Sequence, residues 1–348
     1  MLSNKTIMND NRIKKIGVAV IGLGVGEQHA RAYLRTGHCK LMWLFDLDHD
    51  RARKLIKEFN TGKVADSYEQ ILEDPDVDVV SIASYDADHF AQVIAAFHSR
   101  KHVYVEKPVC RTLDEVHQVY KAWKGAGGSQ RALSSNLVLR AAPLYQRLQK
   151  YLSEGLLGRI YAVDGEYLYG RLYKITEGWR SQEIDYSVMT GGGIHMIDLV
   201  LWLTGIRPVT IQAVGNRICT DQTTFRYKDF VTATAKMSNG AIARFTANFG
   251  CVHRHQHIIR IYGTKGTFLY DDAGARVHLS RDPRNSATPW DDSPLPATKG
   301  DLILNFIHGI MQCRDWTLEA ETCLNVATVC AICDEALRNE NTIEVVYP

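Results

Sequence analysis

Residues 16–27 read Ile-Gly-Val-Ala-Val-Ile-Gly-Leu-Gly-Val-Gly-Glu, and the fold of this 348-residue chain turns on that stretch. Residues 16–21 are short, branched and nearly all apolar, which predicts a parallel strand buried on both faces. The glycines follow at once. They allow a tight turn with no Cβ to obstruct an approaching pyrophosphate. Residues 27–36 read as a helix whose first amides can receive phosphates. A second apolar run, residues 40–45, ends in Asp46, a carboxylate placed where a ribose 2′-hydroxyl would lie. Strand, turn, helix and acid in this order predict a dinucleotide held by Gly22, Gly24, Val25, Gly26 and Asp46. A carboxylate there accepts from a free 2′-hydroxyl and repels a 2′-phosphate, so NAD is expected over NADP. Arg51 and Arg53 are near in sequence but on the following helix. The spacing departs from G-x-G-x-x-G. Gly26 comes one residue early and Glu27 takes the last place, where its charge repels phosphate unless it points away.

Working outward, the first third alternates strand and helix. Strands are expected at 16–21, 40–45, 79–82, 103–105 and 132–135, and helices at 27–36, 49–59, 67–72, 87–99 and 113–123. That alternation predicts a doubly wound parallel sheet, an α/β Rossmann domain, over residues 14–136. Ligands of such sheets bind outside the carboxyl ends of the strands. The segments at 22–26, Asp46, Ser84 to His89 and Glu106 to Pro108 all fall there, so Ser84, His89, Glu106 and Lys107 join the cofactor candidates. After residue 136 strands dominate, at 160–169, 209–217, 230–237, 241–249, 257–262, 267–270 and 276–279, with turn signals such as Ser238-Asn239-Gly240 between them. An α+β domain around a large, mostly antiparallel sheet is expected over residues 137–348. Residues 283–300, polar and rich in Pro and Ser, read as a surface loop. Two helices, 301–313 and 318–338, and a last strand at 342–346 complete the pattern.

Apolar content of 45% and charged content of 23% are ordinary for a globular protein. A net charge of +2 gives no electrostatic footprint for nucleic acid or an anionic membrane. No apolar run approaches the length of a membrane span. Residues 1–15 are polar, lack the apolar core of a signal peptide and read as a short disordered lead-in. Eight scattered cysteines fit a reducing cytoplasm better than a disulfide framework. Cys330 and Cys333 form a C-x-x-C with no second pair at metal spacing, so core packing is expected.

Two constellations carry chemistry. Glu106-Lys107-Pro108 follows the strand HVYV, and the proline forces Lys107 into an extended form. An ammonium there can donate to a substrate oxygen. The second is Gly191-Gly192-Gly193-Ile194-His195-Met196-Ile197-Asp198-Leu199. Its helix is apolar nearly all round and should be buried, with His195 and Asp198 on one face. A buried His and a buried Asp both need partners.

The glycine turn running into His29-Ala30, the Glu-Lys-Pro, and the glycine-rich segment before His-x-x-Asp-Leu together resemble the glucose–fructose oxidoreductase / inositol dehydrogenase (Gfo/Idh/MocA) family, over roughly residues 16–346. The resemblance implies a Rossmann domain followed by a sheet domain, and hydride transfer between NAD(P) and a carbinol carbon of a sugar, cyclitol or nucleotide sugar. It implies that Lys107 contacts substrate near the nicotinamide and that His195 serves as acid–base. Asn136 and Arg140 fall in a segment that often faces substrate. A homodimer or homotetramer through the second sheet is implied by the same likeness. Many members carry an Asp four residues before the His, where this chain has Gly191. Asp198, Asp185 or Tyr186 could take its place, or Lys107 and His195 could act alone. That departure keeps two alternatives open, an NAD-dependent glycosidase using transient oxidation and a non-catalytic dinucleotide-binding regulator.

Further substrate contacts are expected from the tyrosine-rich segment 161–173, with Tyr169, Arg171 and nearby Arg180, since aromatic faces and arginines suit a sugar ring or a phosphate. His253, His255 and His257 fall on one face by the period of two. A polar sheet face, which could lie between subunits, is expected of them, and no metal site.

Overall fold

The computed structural model describes residues 15–348, so all but Lys15 of the expected lead-in lies outside the described residues. Ile16–Ile21 forms strand β1, Gly26–Arg35 helix α1, Cys39–Phe45 β2, His49–Phe59 α2, Lys63–Val64 β3, Tyr68–Glu73 α3, Val79–Ile82 β4, His89–His98 α4, His102–Val105 β5, Leu113–Gly125 α5 and Leu133–Ser135 β6. The six strands make one sheet in the order β3-β2-β1-β4-β5-β6, with every pair parallel. Residues 18–21 are at most 1% exposed, as a strand covered by helices on both faces must be. Helix starts are set by local chemistry. Asp48 accepts from the Asp50 and Arg51 amides at the head of α2, and Thr112 and Glu115 form a capping box on α5. Strand order reverses between β1 and β4, which opens a crevice at their carboxyl ends.

The second half contains α6 (Pro143–Ser153), β7 (Ile160–Leu168), α7 (Tyr173–Thr176), α8 (Ile194–Thr204), β8 (Pro208–Asn216), β9 (Phe230–Met237), β10 (Ile242–Asn248), β11 (Gln256–Gly263), β12 (Thr267–Asp271), β13 (Gly274–His278), β14 (Thr288–Trp290), α9 (Ile303–Met311), α10 (Thr317–Asn339) and β15 (Ile343–Glu344). Nine strands run β14-β13-β12-β11-β7-β10-β9-β8-β15, antiparallel except for the parallel β7–β10 pair. Along β9, Val231, Ala233, Ala235 and Met237 face the core while Thr234 and Lys236 face outward. α8 packs on the inner face between this sheet and α10, which accounts for its lack of a polar stripe. Cys330 and Cys333 are free thiols in the core contributed by α10.

Three features differ from the sequence reading. Strand β3, only two residues long, has too short a pattern to be read. Residues 283–300 are more than a surface loop: Thr288–Trp290 adds an edge strand, and Trp290 is buried against Phe268. The C-terminal helices return to the first sheet. Ile303, Phe306, Ile307 and Trp316 pack with Val18, Val20, Ala30 and Tyr33, while Ala320, Leu324 and Ala327 join the core around β5. That return clamps the two sheets together around the crevice. No helix among the described residues is long and apolar enough to cross a membrane.

Candidate active site

The turn after β1 is built for close approach. Gly22 has φ +79°, and a Cβ on it would sit 2.4 Å from the Ala83 carbonyl oxygen at the end of β4. A Cβ on Gly26 would press Val20 at 2.9 Å, so this glycine lets α1 lie against β1. Gly24 is different. A Cβ there would meet nothing within 4 Å, which leaves open space beside the first amides of α1. Asp46 reaches back from the end of β2. One carboxylate oxygen accepts from the Leu23 amide at 2.6 Å, the other from the Asp48 amide at 2.8 Å, and Arg51 lies 3.8 Å away. Glu27 points away from the turn and pairs with Arg31 Nη2 at 2.8 Å, and Glu58 meets the same nitrogen at 2.7 Å. The repulsion expected from Glu27 is thereby removed.

At the end of β5, a buried network fixes the next segment. His29 Nδ1 meets Ser81 Oγ at 3.0 Å and its Nε2 meets Glu106 Oε1 at 3.2 Å. Asn136 donates to the same Glu106 oxygen at 2.6 Å and to the Lys299 carbonyl at 2.9 Å, and accepts from Tyr104 at 2.7 Å. Burial alone would raise the Glu106 carboxyl, but the hydrogen bonds from His29 and Asn136 and the charge of Lys107 hold it down at about 2. Glu106 is thus a fixed anion behind Lys107. The Lys107–Pro108 peptide is cis, and Lys107 Nζ donates to the Gly191 carbonyl at 3.1 Å.

Gly191 belongs to a wide, π-type turn, Met189–Gly193, that runs straight into α8 and delivers His195 opposite Lys107. The two line one cavity of about 390 Å³ with Gln28, Glu106, Asn136, Tyr167, Tyr169, Arg171, Arg180, Tyr186, His255 and His257, closed on one side by residues 295–299. His195 stacks on Tyr167 (centroids 5.8 Å apart, 23° between planes) and meets His257 edge-on at 5.7 Å. Burial, reinforced by Lys107 and the neighbouring imidazoles, pushes His195 well below the ordinary histidine range. His255 and His257 are likewise held down, mainly by burial, to about 4 and about 3. All three rings are neutral at pH 7. The cavity therefore offers a cationic donor and a neutral imidazole on walls that also carry aromatic faces and the Arg171 and Arg180 guanidiniums.

Residues 16–130 match the model of an oxidoreductase family with an NAD-binding Rossmann fold, and residues 145–269 match the GFO/IDH/MocA C-terminal domain. The chain belongs to the Gfo/Idh/MocA family of oxidoreductases. Among curated relatives, D-glucoside 3-dehydrogenase of Escherichia coli is 26% identical over 279 residues, 75% of this chain and 76% of that protein. Myo-inositol 2-dehydrogenase of Thermotoga maritima is 24% identical over 269 residues, 73% and 75%. A solved levoglucosan dehydrogenase in complex with NADH superposes with a TM-score of 0.83 at 21% identity, covering 96% of this chain and all of that one.

In this Gfo/Idh/MocA member, several candidate residues lie elsewhere than expected. His89 is fully buried, with Nδ1 2.7 Å from the Pro108 carbonyl and Nε2 3.2 Å from the Ser84 carbonyl, so it braces two loops instead of meeting a cofactor. Ser84 donates to Gln92 at 2.7 Å beneath the same crevice. Arg140 and Asp198 are not among the cavity's lining residues. They are buried against each other, with Nε 3.1 and 3.2 Å from the two carboxylate oxygens. Asn136 lies at the wall, with its amide engaged by Glu106, Lys299 and Tyr104. Asp185 is exposed, on a second cavity of about 660 Å³ that shares Tyr186 and Gly191 but holds neither Lys107 nor His195. His255 and His257, read as a polar sheet face, line the cavity, while His253 turns outward onto Asp272 at 2.9 Å. The shared face expected from the alternation fails at His253, because β11 begins only at Gln256, and the alternation carried no signal for which face His257 takes. Tyr167 falls inside the expected segment 161–173, while Phe249 and the loop at 295–299, which also line the cavity, were missed.

Proposed function

We propose that this oxidoreductase moves a hydride between NAD and one carbinol carbon of a free polyhydroxylated ring, a sugar or a cyclitol, with Lys107 and His195 as its catalytic residues. One observation carries the reading: the Lys107 ammonium and an uncharged His195 imidazole converge on a single cavity at the carboxyl ends of the first sheet. The cavity volume lies at the lower end of the range for small-molecule sites, which suits one ring better than a nucleotide sugar. Aromatic faces from Tyr167, Tyr169 and Phe249 and donors from Arg171 and Arg180 suit the alternating apolar and hydroxyl edges of such a ring.

The cofactor cradle supports the same reading. The room beside Gly24 at the head of α1 fits a pyrophosphate, and Asp46 stands at the end of β2 where it favours the free ribose hydroxyls of NAD over NADP. When bound, the nicotinamide accepts or returns the hydride. The protein's own part is proton management. His195, held neutral by burial, takes the alcohol proton, and Lys107 stabilises the negative charge that develops on the oxygen. Glu106, anionic behind Lys107, offsets the repulsion between the ammonium and the cationic nicotinamide of NAD.

Eight free thiols support a reducing, cytoplasmic setting. The outer face of the second sheet carries paired charges, Asp164 with Arg244 and Glu166 with Arg260, beside Tyr161 and Tyr262, and this face supports a homodimer or homotetramer. Residues 14–136 then hold the dinucleotide and residues 137–348 shape the substrate cavity and the subunit contact.

The test is a panel of free sugars and cyclitols with NAD, scored as net NADH formation, run on the wild type and Lys107→Met. Turnover by the wild type and a fall of roughly 10²–10³-fold in kcat with unchanged NADH affinity are expected. A Lys107→Met enzyme with wild-type turnover refutes the assignment, and cleavage of a glycoside without net NADH points to glycosidase chemistry instead.

A further inference from the structure

Several buried polar atoms among the described residues lack a hydrogen-bond partner of good geometry, and one of them lies beside the turn that carries Gly191. The Tyr186 side chain is 7% exposed and its hydroxyl is buried with no hydrogen-bond partner of good geometry among the described residues, although it lies at the wall of the cavity that holds Lys107 and His195. A buried hydroxyl without a partner is a standing cost to stability. The ring is held by edge-on contacts with Phe225 (5.8 Å) and Phe249 (6.4 Å), and the Arg180 guanidinium is its charged neighbour. Its position is tied to Gly191. A Cβ on Gly191 would fall 2.2 Å from the Tyr186 oxygen and 2.7 Å from the carbon that bears it. The phenol therefore fills the space that a side chain at 191 would use. Lys107 Nζ meets the carbonyl of that same glycine at 3.1 Å, so ammonium and phenol converge on one residue.

We propose that Tyr186 is a third catalytic residue, whose hydroxyl donates a hydrogen bond to the same substrate oxygen that Lys107 faces, from the place a side chain at position 191 would occupy. This deepens the reading above and rests on it. An alcohol oxygen has one proton and two lone pairs. The proton goes to His195, and the lone pairs accept from Lys107 and Tyr186. On oxidation the C–H bond gives its electron pair to NAD, the O–H pair becomes the second bond of the carbonyl, and the proton stays on His195. The carbonyl oxygen keeps both donors, and they hold it more tightly as charge develops. Burial keeps the phenol protonated, so it acts as a donor throughout and not as the base. Of the three candidates for the acid absent at 191, Asp198 is consumed by Arg140 and Asp185 faces the other cavity, which leaves Tyr186.

The experiment uses Tyr186→Phe, with the polyol panel, NADH fluorescence titration and thermal melting as readouts. The contact of the hydroxyl with the Arg180 guanidinium lacks good hydrogen-bond geometry, so the variant is expected to melt within about 1 °C of the wild type and to bind NADH within about twofold, while kcat falls roughly 10²-fold. A lower melting temperature means that the hydroxyl serves the fold, and unchanged kcat means that it does not touch the reacting oxygen. Either result overturns the proposal. A wild type that turns over no member of the panel removes the reading beneath and this inference with it. A wild type and a Tyr186→Phe variant that are equally active sink this inference alone. As a second arm, Gly191→Asp is expected to lower the melting temperature and Tyr186→Ala to relieve most of that drop in the double variant. Additive drops overturn the claim that the two side chains compete for one space.

Discussion

Removing the Asp198 carboxylate separates stability from catalysis in this enzyme. Asp198 is 1% exposed and the Arg140 side chain 12% exposed, and two nitrogens of the guanidinium, Nε and Nη2, engage the carboxylate in three contacts. Burial pushes the Asp198 carboxyl up, and Arg140 offsets much of that rise. In Asp198→Ala the guanidinium stays buried without its partner, a situation that costs about 3–5 kcal/mol. Glu319 is near enough to act on Arg140, so the lower end, about 3 kcal/mol, is expected, which corresponds to a drop of roughly 5 °C in melting temperature. Replacing the pair together, Arg140→Met with Asp198→Leu, removes both charges and should recover most of the loss. The assays are thermal melting and, on the folded fraction at lower temperature, kcat and KM for the best panel substrate. Kinetic constants within a few-fold of wild type are expected, because neither residue lines the cavity. A single variant that melts within about 1 °C of wild type refutes the burial argument, and normal melting with a large rise in KM returns Asp198 to the substrate.

The glycine turn offers a paired check. Gly24→Val should melt like wild type, since its side chain enters open space, yet weaken NADH roughly tenfold or more, whereas Gly22→Ala should destabilise the fold by about 1–3 kcal/mol through its φ of +79° and the Ala83 carbonyl. Acid should also unfold this protein early. His257, held by burial at about 3, takes up no proton in the folded state between pH 6.5 and 5, while the unfolded chain does so near 6.5, so stability falls as pH falls. That one ring removes about 2 kcal/mol over the interval, and His102 and His255, both held at about 4 mainly by burial, act in the same direction. Asp334 works against them. Burial lifts it to about 6, so it gains a proton in the folded state first. Urea unfolding at pH 7 and pH 5 should show the net loss, and His257→Leu should flatten it; an equal slope in the variant counts against the buried-imidazole account.

What the chain wrote locally could be read without coordinates. The apolar run at 16–21, the glycines after it and Asp46 at the next strand's end specify strand, turn and acid within about thirty residues, because period, missing Cβ atoms and terminal amides are local properties. The same holds for the Glu-Lys-Pro and for the apolar helix after Gly193, both of which lie where the sequence reading put them. Charge and contact across the chain were not written that way. Nothing within a few residues of Asp198 announces that Arg140 will take its carboxylate, or that His89 will brace two carbonyls instead of meeting a ligand. The alternation at 253, 255 and 257 suggests a shared face, but only the pairing of β11 with β7 turns His257 toward His195. Gly191 shows the limit best. In sequence it is a missing acid; in space it is room for the Tyr186 hydroxyl, five residues earlier and folded back across the turn. Local backbone preference can be read from neighbours along the chain, whereas the surroundings of a buried polar group are set by residues that only packing brings near it.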